Sequence, residues 1–202
     1  MREPTRRLFF ALWPEAEQRA ALAQATRKAV RSCGGRPVPE ESLHVTLAFL
    51  GSVPERRVPE LQAIARRIAQ TARTQGAALI VSFDRLVHWV KPRILCALGS
   101  EAPAESRGAE PPHPIALTGA AALAESLKSD TSAAGFTPDL KPFHTHVTLA
   151  RKVAHARALQ PLDPLVWRFD AFALVESRTE PSGPIYSVIE SYLLVNAEKA
   201  HE

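Results

Sequence analysis

The same four residues, His-Val-Thr-Leu, occur twice in this chain of 202 residues, once in "ESLHVTLAFLGSV" and again in "KPFHTHVTLAR". The copies begin at His44 and His146, half a chain apart. Each sits in a short run of β-branched and apolar residues, the pattern of a strand. On a strand, side chains two positions apart share a face. His44 and Thr46 therefore project together, with Val45 and Leu47 behind them, and His146 and Thr148 repeat the arrangement. The chain must fold so that two strands, apolar on one side, each carry an imidazole beside a hydroxyl on the other. Packing alone asks for apolar groups at inward positions, so the duplication points to chemistry.

The segments around the motifs alternate between helix and strand. Residues 7–13 ("RLFFALW") read as a first strand, and Pro14 opens a helical stretch reaching residue 32. "SLHVTLAFLG" reads as a strand that Gly51 ends, followed by a helix over about 54–75 whose Leu61, Ile64, Ala65 and Ile68 recur at helical spacing. Strands are expected at 78–87 and 93–98, a helix near 115–134 closed by Gly135, a strand over "FHTHVTLAR", and strands at 165–176 and 184–195. Residues 100–114, rich in Pro, Glu, Ala and Ser, read as a flexible surface loop. This order predicts an α+β fold: one bilobal domain over 1–202, a duplicated unit of two antiparallel sheets with helices outside.

With 46% hydrophobic and 23% charged residues, the chain has material for a core and does not read as disordered. No apolar run approaches the ~20 residues of a membrane span. The apolar part of "MREPTRRLFFALWPEAE" is too short for a signal-peptide core and is followed at once by Pro14 and acids, so a cytoplasmic protein is expected. Cys33 and Cys96 make no disulfide framework; Cys96 reads as a small buried residue and Cys33 as a loop residue. The net charge of +4 mildly favours a polyanionic partner. No long apolar surface stripe is left over, so a monomer is expected.

Two opposed imidazoles suit in-line displacement at phosphorus. A neutral histidine removes a proton from the attacking hydroxyl or water, and a protonated one gives a proton to the leaving oxygen. An ordinary pKa near 6.5 lets both forms exist close to neutrality, and such steps contribute about 10²–10⁴-fold each. Threonine hydroxyls can donate to the non-bridging oxygens, where charge accumulates. A metal reading competes: His144 and His146 are also two apart, and His44 could complete a three-histidine site. No carboxylate ligand accompanies that pair, and it leaves the threonines without a task. The other histidines, His88, His113, His155 and His201, lack a hydroxyl two residues on and read as surface or loop residues.

The paired motifs resemble those of the two-histidine phosphoesterase superfamily, and within it the RNA 2′,3′-cyclic phosphodiesterases, also named 2′-5′ RNA ligases. "RLFFALWP" is similar to that family's first strand, and "LVESRTEPSGPIYSVIESYLL" to its closing hairpin. Thr145 stands where the family often has proline. The resemblance implies a bilobal fold with a central groove, no cofactor and no metal. It also implies hydrolysis of an RNA terminal 2′,3′-cyclic phosphate to a 2′-phosphomonoester, and the reverse 2′-5′ ligation without ATP. Carried onto this chain, it makes His44 and His146 the catalytic pair and Thr46 and Thr148 phosphate ligands. Arg151 would hold a phosphate or the RNA backbone; lying five residues after His146, it needs a bulge or the strand's end to reach the groove. Phe9 and Tyr186 are candidate base-stacking groups. Other readings stay open: another cyclic or 2′-5′-linked nucleotide substrate, a non-catalytic module that binds RNA ends, or a metal-dependent hydrolase using His144 and His146.

Overall fold

The computed structural model describes residues 3–75, 78–101, 119–155, 159, 161–181 and 183–195. The chain runs β1 (Thr5–Leu12), α1 (Ala16–Ser32), β2 (Arg36–Pro37), β3 (Val45–Pro54), α2 (Val58–Gln75), β4 (Leu79–Trp89), β5 (Ile94–Glu101), α3 (Ala120–Ala133), β6 (His146–Arg151), β7 (Leu165–Phe169), β8 (Ala171–Glu180) and β9 (Gly183–Leu193). The expected α+β class and antiparallel pairing are present. The stretch expected to be a loop at 100–114 lies, from residue 102 on, outside the described residues, as do His113 and His201.

The two expected sheets are halves of one. The strand order is β7-β4-β5-β6-β3-β1-β8-β9, with the short β2 beside β6. One half holds the His44 strand and the other the His146 strand, and the two motif strands are neighbours at the centre. A single antiparallel register pair, Val45 with Val147, joins them. The helices cross between halves: α1 follows β1 but packs on β6 and β7, and α3 precedes β6 but packs on β3. The halves are thus interleaved.

Two boundaries differ from the sequence reading. The apolar run at 165–176 is two strands, since the chain changes halves at Asp170: β7 pairs with β4, and β8 pairs with β1. The carbonyl of Asp170 accepts from the amide of Leu194 at 2.7 Å, fixing the corner. Gly51 does not end its strand. At φ 68° it sits beside a bulge in β3, where Leu8 pairs with Gly51 and Phe9 with Phe49, leaving Leu50 as the extra residue. Pro14 lies just outside α1, which Glu15 caps, its amide accepted by the Gln18 side chain at 3.1 Å. Cys33 is buried at the C-cap of that helix, and Cys96 is buried in β5.

The sequence of β1 explains why the groove has a solid floor. Leu8, Phe10 and Leu12 join the main core beneath the helices, while Phe9 and Ala11 join Ala173 and Val175 in a second cluster on the other face. Both faces of β1 are therefore buried. The His146 half is closed by a tight approach at Gly99. A Cβ there would lie 2.6 Å from Val81 Cγ1, 2.9 Å from Thr145 Cγ2 and 3.1 Å from Phe83 Cε1. Gly99→Ala is therefore expected to destabilise the fold by roughly 1–3 kcal/mol, the usual cost of overpacking. Urea unfolding checks this, and an unchanged midpoint would show that β4, β5 and the entry to β6 pack more loosely than described.

Candidate active site

The seam between the halves builds the site. Val45 and Val147 are fully buried, so their neighbours in sequence turn to the groove. An antiparallel register through that pair sets Thr46 against His146 and His44 against Thr148. All four side chains line one recess of about 30 Å³, with Arg151 and Tyr186. The imidazole–hydroxyl pairs thus rise side by side from adjacent strands.

Both imidazoles are oriented alike. His44 Nδ1 lies 2.7 Å from the carbonyl of Ser42, and His146 Nδ1 lies 2.7 Å from the carbonyl of His144. A carbonyl only accepts, so Nδ1 donates in each ring and Nε2 is left to exchange protons at the recess. His44 Nε2 lies 3.1 Å from Thr46 Oγ1. His144 thus offers its carbonyl to His146, while its exposed side chain lines a second depression beside that ring. Among the described residues, no three His, Cys, Asp or Glu side chains are grouped so as to hold a metal ion.

Aromatic rings fix each imidazole. Trp13 stacks on His44 at 5.3 Å and 15°, Phe9 lies 5.0 Å away, and Tyr186 meets it edge-on at 5.1 Å. Trp89 lies 4.7 Å from His146. Phe9 is only 3% exposed, so it supports the imidazole from the floor and has no face open to a base. Tyr186 is half-buried and borders the open groove. Trp13 was legible only through the alternation that puts Arg7, Phe9, Ala11 and Trp13 on one face of the first strand. Nothing in the sequence paired Trp89 with His146.

Arg151 reaches the recess through the bulge that its position demands. In the β5–β6 ladder, Leu95 pairs with Ala150 and Cys96 with Thr148, so Leu149 is the extra residue. Two successive residues, Leu149 and Ala150, turn inward and Arg151 returns to the face of His146 and Thr148. The same device operates in β3. Phe10 pairs with Ala48 and Ala11 with Thr46, so Leu47 is extra and Phe49 comes round beside Thr46. A fifth shared residue, Ala48 in one motif and Ala150 in the other, was the available sign of this second duplication. At the matched position one half therefore carries Phe49, with the Arg7 guanidinium 4.7 Å over its ring, and the other carries Arg151. Of the remaining histidines, His88 is half-buried in β4 and not at the surface, and His155 is exposed.

Burial pushes His44 down to about 4; the Ser42 carbonyl opposes this, and the charges of Arg151 and His146 add to it. His146 is lowered as well, first by burial and then by His144 and Arg151, against the pull of the His144 carbonyl. Without an anion both rings are therefore neutral at pH 7. An anion in the recess would favour the protonated forms.

An interleaved antiparallel α+β sheet, with two imidazole–hydroxyl pairs on its central strands, defines a two-histidine phosphoesterase. Residues 12–85 and 111–186 match the family described as LigT like Phosphoesterase, and the chain belongs to it. A relative from Thermus thermophilus named RNA 2′,3′-cyclic phosphodiesterase is 36% identical over 194 residues, covering 93% of this chain and 90% of that protein. One of the same name from Escherichia coli is 32% identical, covering 80% of each. Among solved structures, E. coli LigT complexed with 3′-AMP superimposes with a TM-score of 0.76 at 27% identity, over 96% of this chain and 100% of that one. E. coli LigT complexed with phosphate gives 0.71 at 28% over the same shares.

The depressed proton affinity of His44 has a consequence for stability. Its folded pKa lies below its unfolded value near 6.5, so the unfolded chain takes up a proton first. Stability therefore falls as pH drops through 6.5 and levels off below about 4. On going from pH 7 to pH 5, His44→Gln should lose on the order of 1–2 kcal/mol less than wild type in urea unfolding. Equal losses would mean that residue 44 is better solvated than its surroundings indicate.

Proposed function

We propose that this protein hydrolyses the 2′,3′-cyclic phosphate at an RNA end to a 2′-phosphomonoester. The supporting observation is that two imidazoles, each with its Nδ1 held by a carbonyl and with a threonine two residues on, line one recess from adjacent strands. The names of the curated relatives agree with this reading. His44, enclosed by three aromatic rings and held neutral, acts as the base: its Nε2 takes a proton from water as the oxygen attacks phosphorus. His146, packed against one tryptophan and open beside His144, acts as the acid. Its Nε2–H protonates the 3′ oxygen as the P–O3′ bond breaks, leaving the phosphate on the 2′ oxygen. Thr46, Thr148 and Arg151 stabilise the non-bridging oxygens. With a 5′-hydroxyl in place of water, the same displacement forms a 2′-5′ linkage, and no ATP is consumed.

An oligonucleotide ending in a 2′,3′-cyclic phosphate tests this, with 2′- and 3′-phosphate products resolved. His44→Ala and His146→Ala should each lower turnover by about 10²–10⁴-fold while far-UV circular dichroism is unchanged. Activity should persist in EDTA; its loss would favour the metal-dependent reading. The base must be neutral and the acid protonated, and both rings are lowered. The kcat/KM profile of wild type should therefore be a bell centred below pH 6.5, rising through His44 near pH 4 and falling through His146. A profile flat between pH 5 and 9, or a 3′-phosphate product, would overturn these roles.

A further inference from the structure

Beyond the recess the groove widens into a space of about 670 Å³, large enough for a nucleotide. Four cations line it: Arg7, Arg36, Arg151 and Lys152. Arg36 in β2 and Arg151 in β6 are direct register partners. Partnered residues of an antiparallel pair share a face with Cβ atoms roughly 5 Å apart, and like charges so placed repel. Neither guanidinium has a hydrogen bond or ion pair among the described residues, although Glu180 borders the same space. Some arginines elsewhere do find carboxylates, as in Arg6 with Glu176 and Arg66 with Glu190. The next residue, Lys152, holds φ 55°, a backbone strained for a side chain other than glycine. A two-residue strand has thus been laid beside β6 so that it places a second positive charge against the first.

Arg151 borders the recess, but Arg36 does not. Arg36 reaches the tip of the β8–β9 hairpin, where a Cβ on Gly183 would lie 3.9 Å from its Nη1. The two arginines therefore bracket a position next to the reacting phosphate and distinct from it. We infer that Arg36 and Arg151, with Lys152, form a second anion subsite that holds the phosphodiester immediately preceding the cyclic end. Arg151 then serves both phosphates and Arg36 only the second, so Arg36 is a specificity residue that favours an oligonucleotide end over a mononucleoside cyclic phosphate. The inference rests on the proposed RNA-end substrate. The contact is to backbone and carries no base preference.

Two measurements separate this subsite from the reaction itself. The first is the ratio of kcat/KM for a trinucleotide ending in a 2′,3′-cyclic phosphate to that for the mononucleoside 2′,3′-cyclic phosphate. Arg36→Ala should lower the ratio about tenfold, with Arg36→Lys recovering part of it. Arg27→Ala, an exposed change on α1 of equal charge, should keep the wild-type ratio. The second needs no turnover: binding of a fluorescent trinucleotide carrying a terminal phosphate. The slope of log affinity against log salt should become shallower by about 0.7 in Arg36→Ala, the value for one phosphate contact on a single strand. An inactive wild type that still shows the slope change would overturn the hydrolytic reading and keep the subsite. An active wild type in which neither ratio nor slope responds to Arg36→Ala, or in which Arg27→Ala acts equally, would overturn the subsite.

Discussion

Everything at the groove depends on one antiparallel pairing at the seam, Val45 with Val147. Strand side chains alternate, so burying those two valines forces His44, Thr46, His146 and Thr148 to the opposite face. A slip of one residue would place imidazoles and hydroxyls in the core and valines in the groove, a loss that the hydrophobic pattern forbids. Register here is set by burial, and the chemistry inherits it. The interleaved helices reinforce the seam: α1 and α3 each leave one half and pack on the other, so the halves cannot separate without exposing helix faces as well as strands.

Most of the strands, the motif faces and the need for a bulge or a strand end at Arg151 were legible because each follows from a period of two residues. What escaped the sequence depends on contacts between distant segments. The corner at Asp170 lies inside an apolar run that continues on both sides of it, and only the change of pairing partner from β4 to β1 reveals two strands. Joining the sheets through one residue pair was invisible for the same reason. Trp89 on β4 reaches His146 on β6 across β5, a proximity no local pattern encodes. Phe9 looked available to a base because it alternates onto the groove face, yet that face is filled by His44 and Tyr186.

Electrostatically the groove disfavours charge on its imidazoles. The imidazoles are desolvated and face an unneutralised guanidinium, which suppresses their charged forms. A phosphate bound as proposed would answer both difficulties: it would neutralise Arg151 and supply the counter-charge that an imidazolium needs. Protonation of the acid and binding of the anion are therefore coupled, each favouring the other by the same free energy. On the proposed roles, the general acid is charged mainly when a substrate is present to receive its proton.

The duplication is also broken in a way that matters chemically. A strictly two-fold site would hold a phosphate equally well in two orientations, with attacking and leaving oxygens exchanged. Matched bulges bring the fifth residue after each histidine to the groove, but it is Phe49 on one side and Arg151 on the other. One imidazole is enclosed by three aromatic rings and the other by one. The groove beyond the recess is lined by Arg7, Arg36, Arg151 and Lys152, while Lys128, Asp139 and Lys141 join Trp89 and Phe143 around the depression at His146. A polyanionic chain entering such a groove has one favoured polarity. On the proposed mechanism, that polarity decides which oxygen meets which imidazole, and the departure from symmetry would give the reaction its direction.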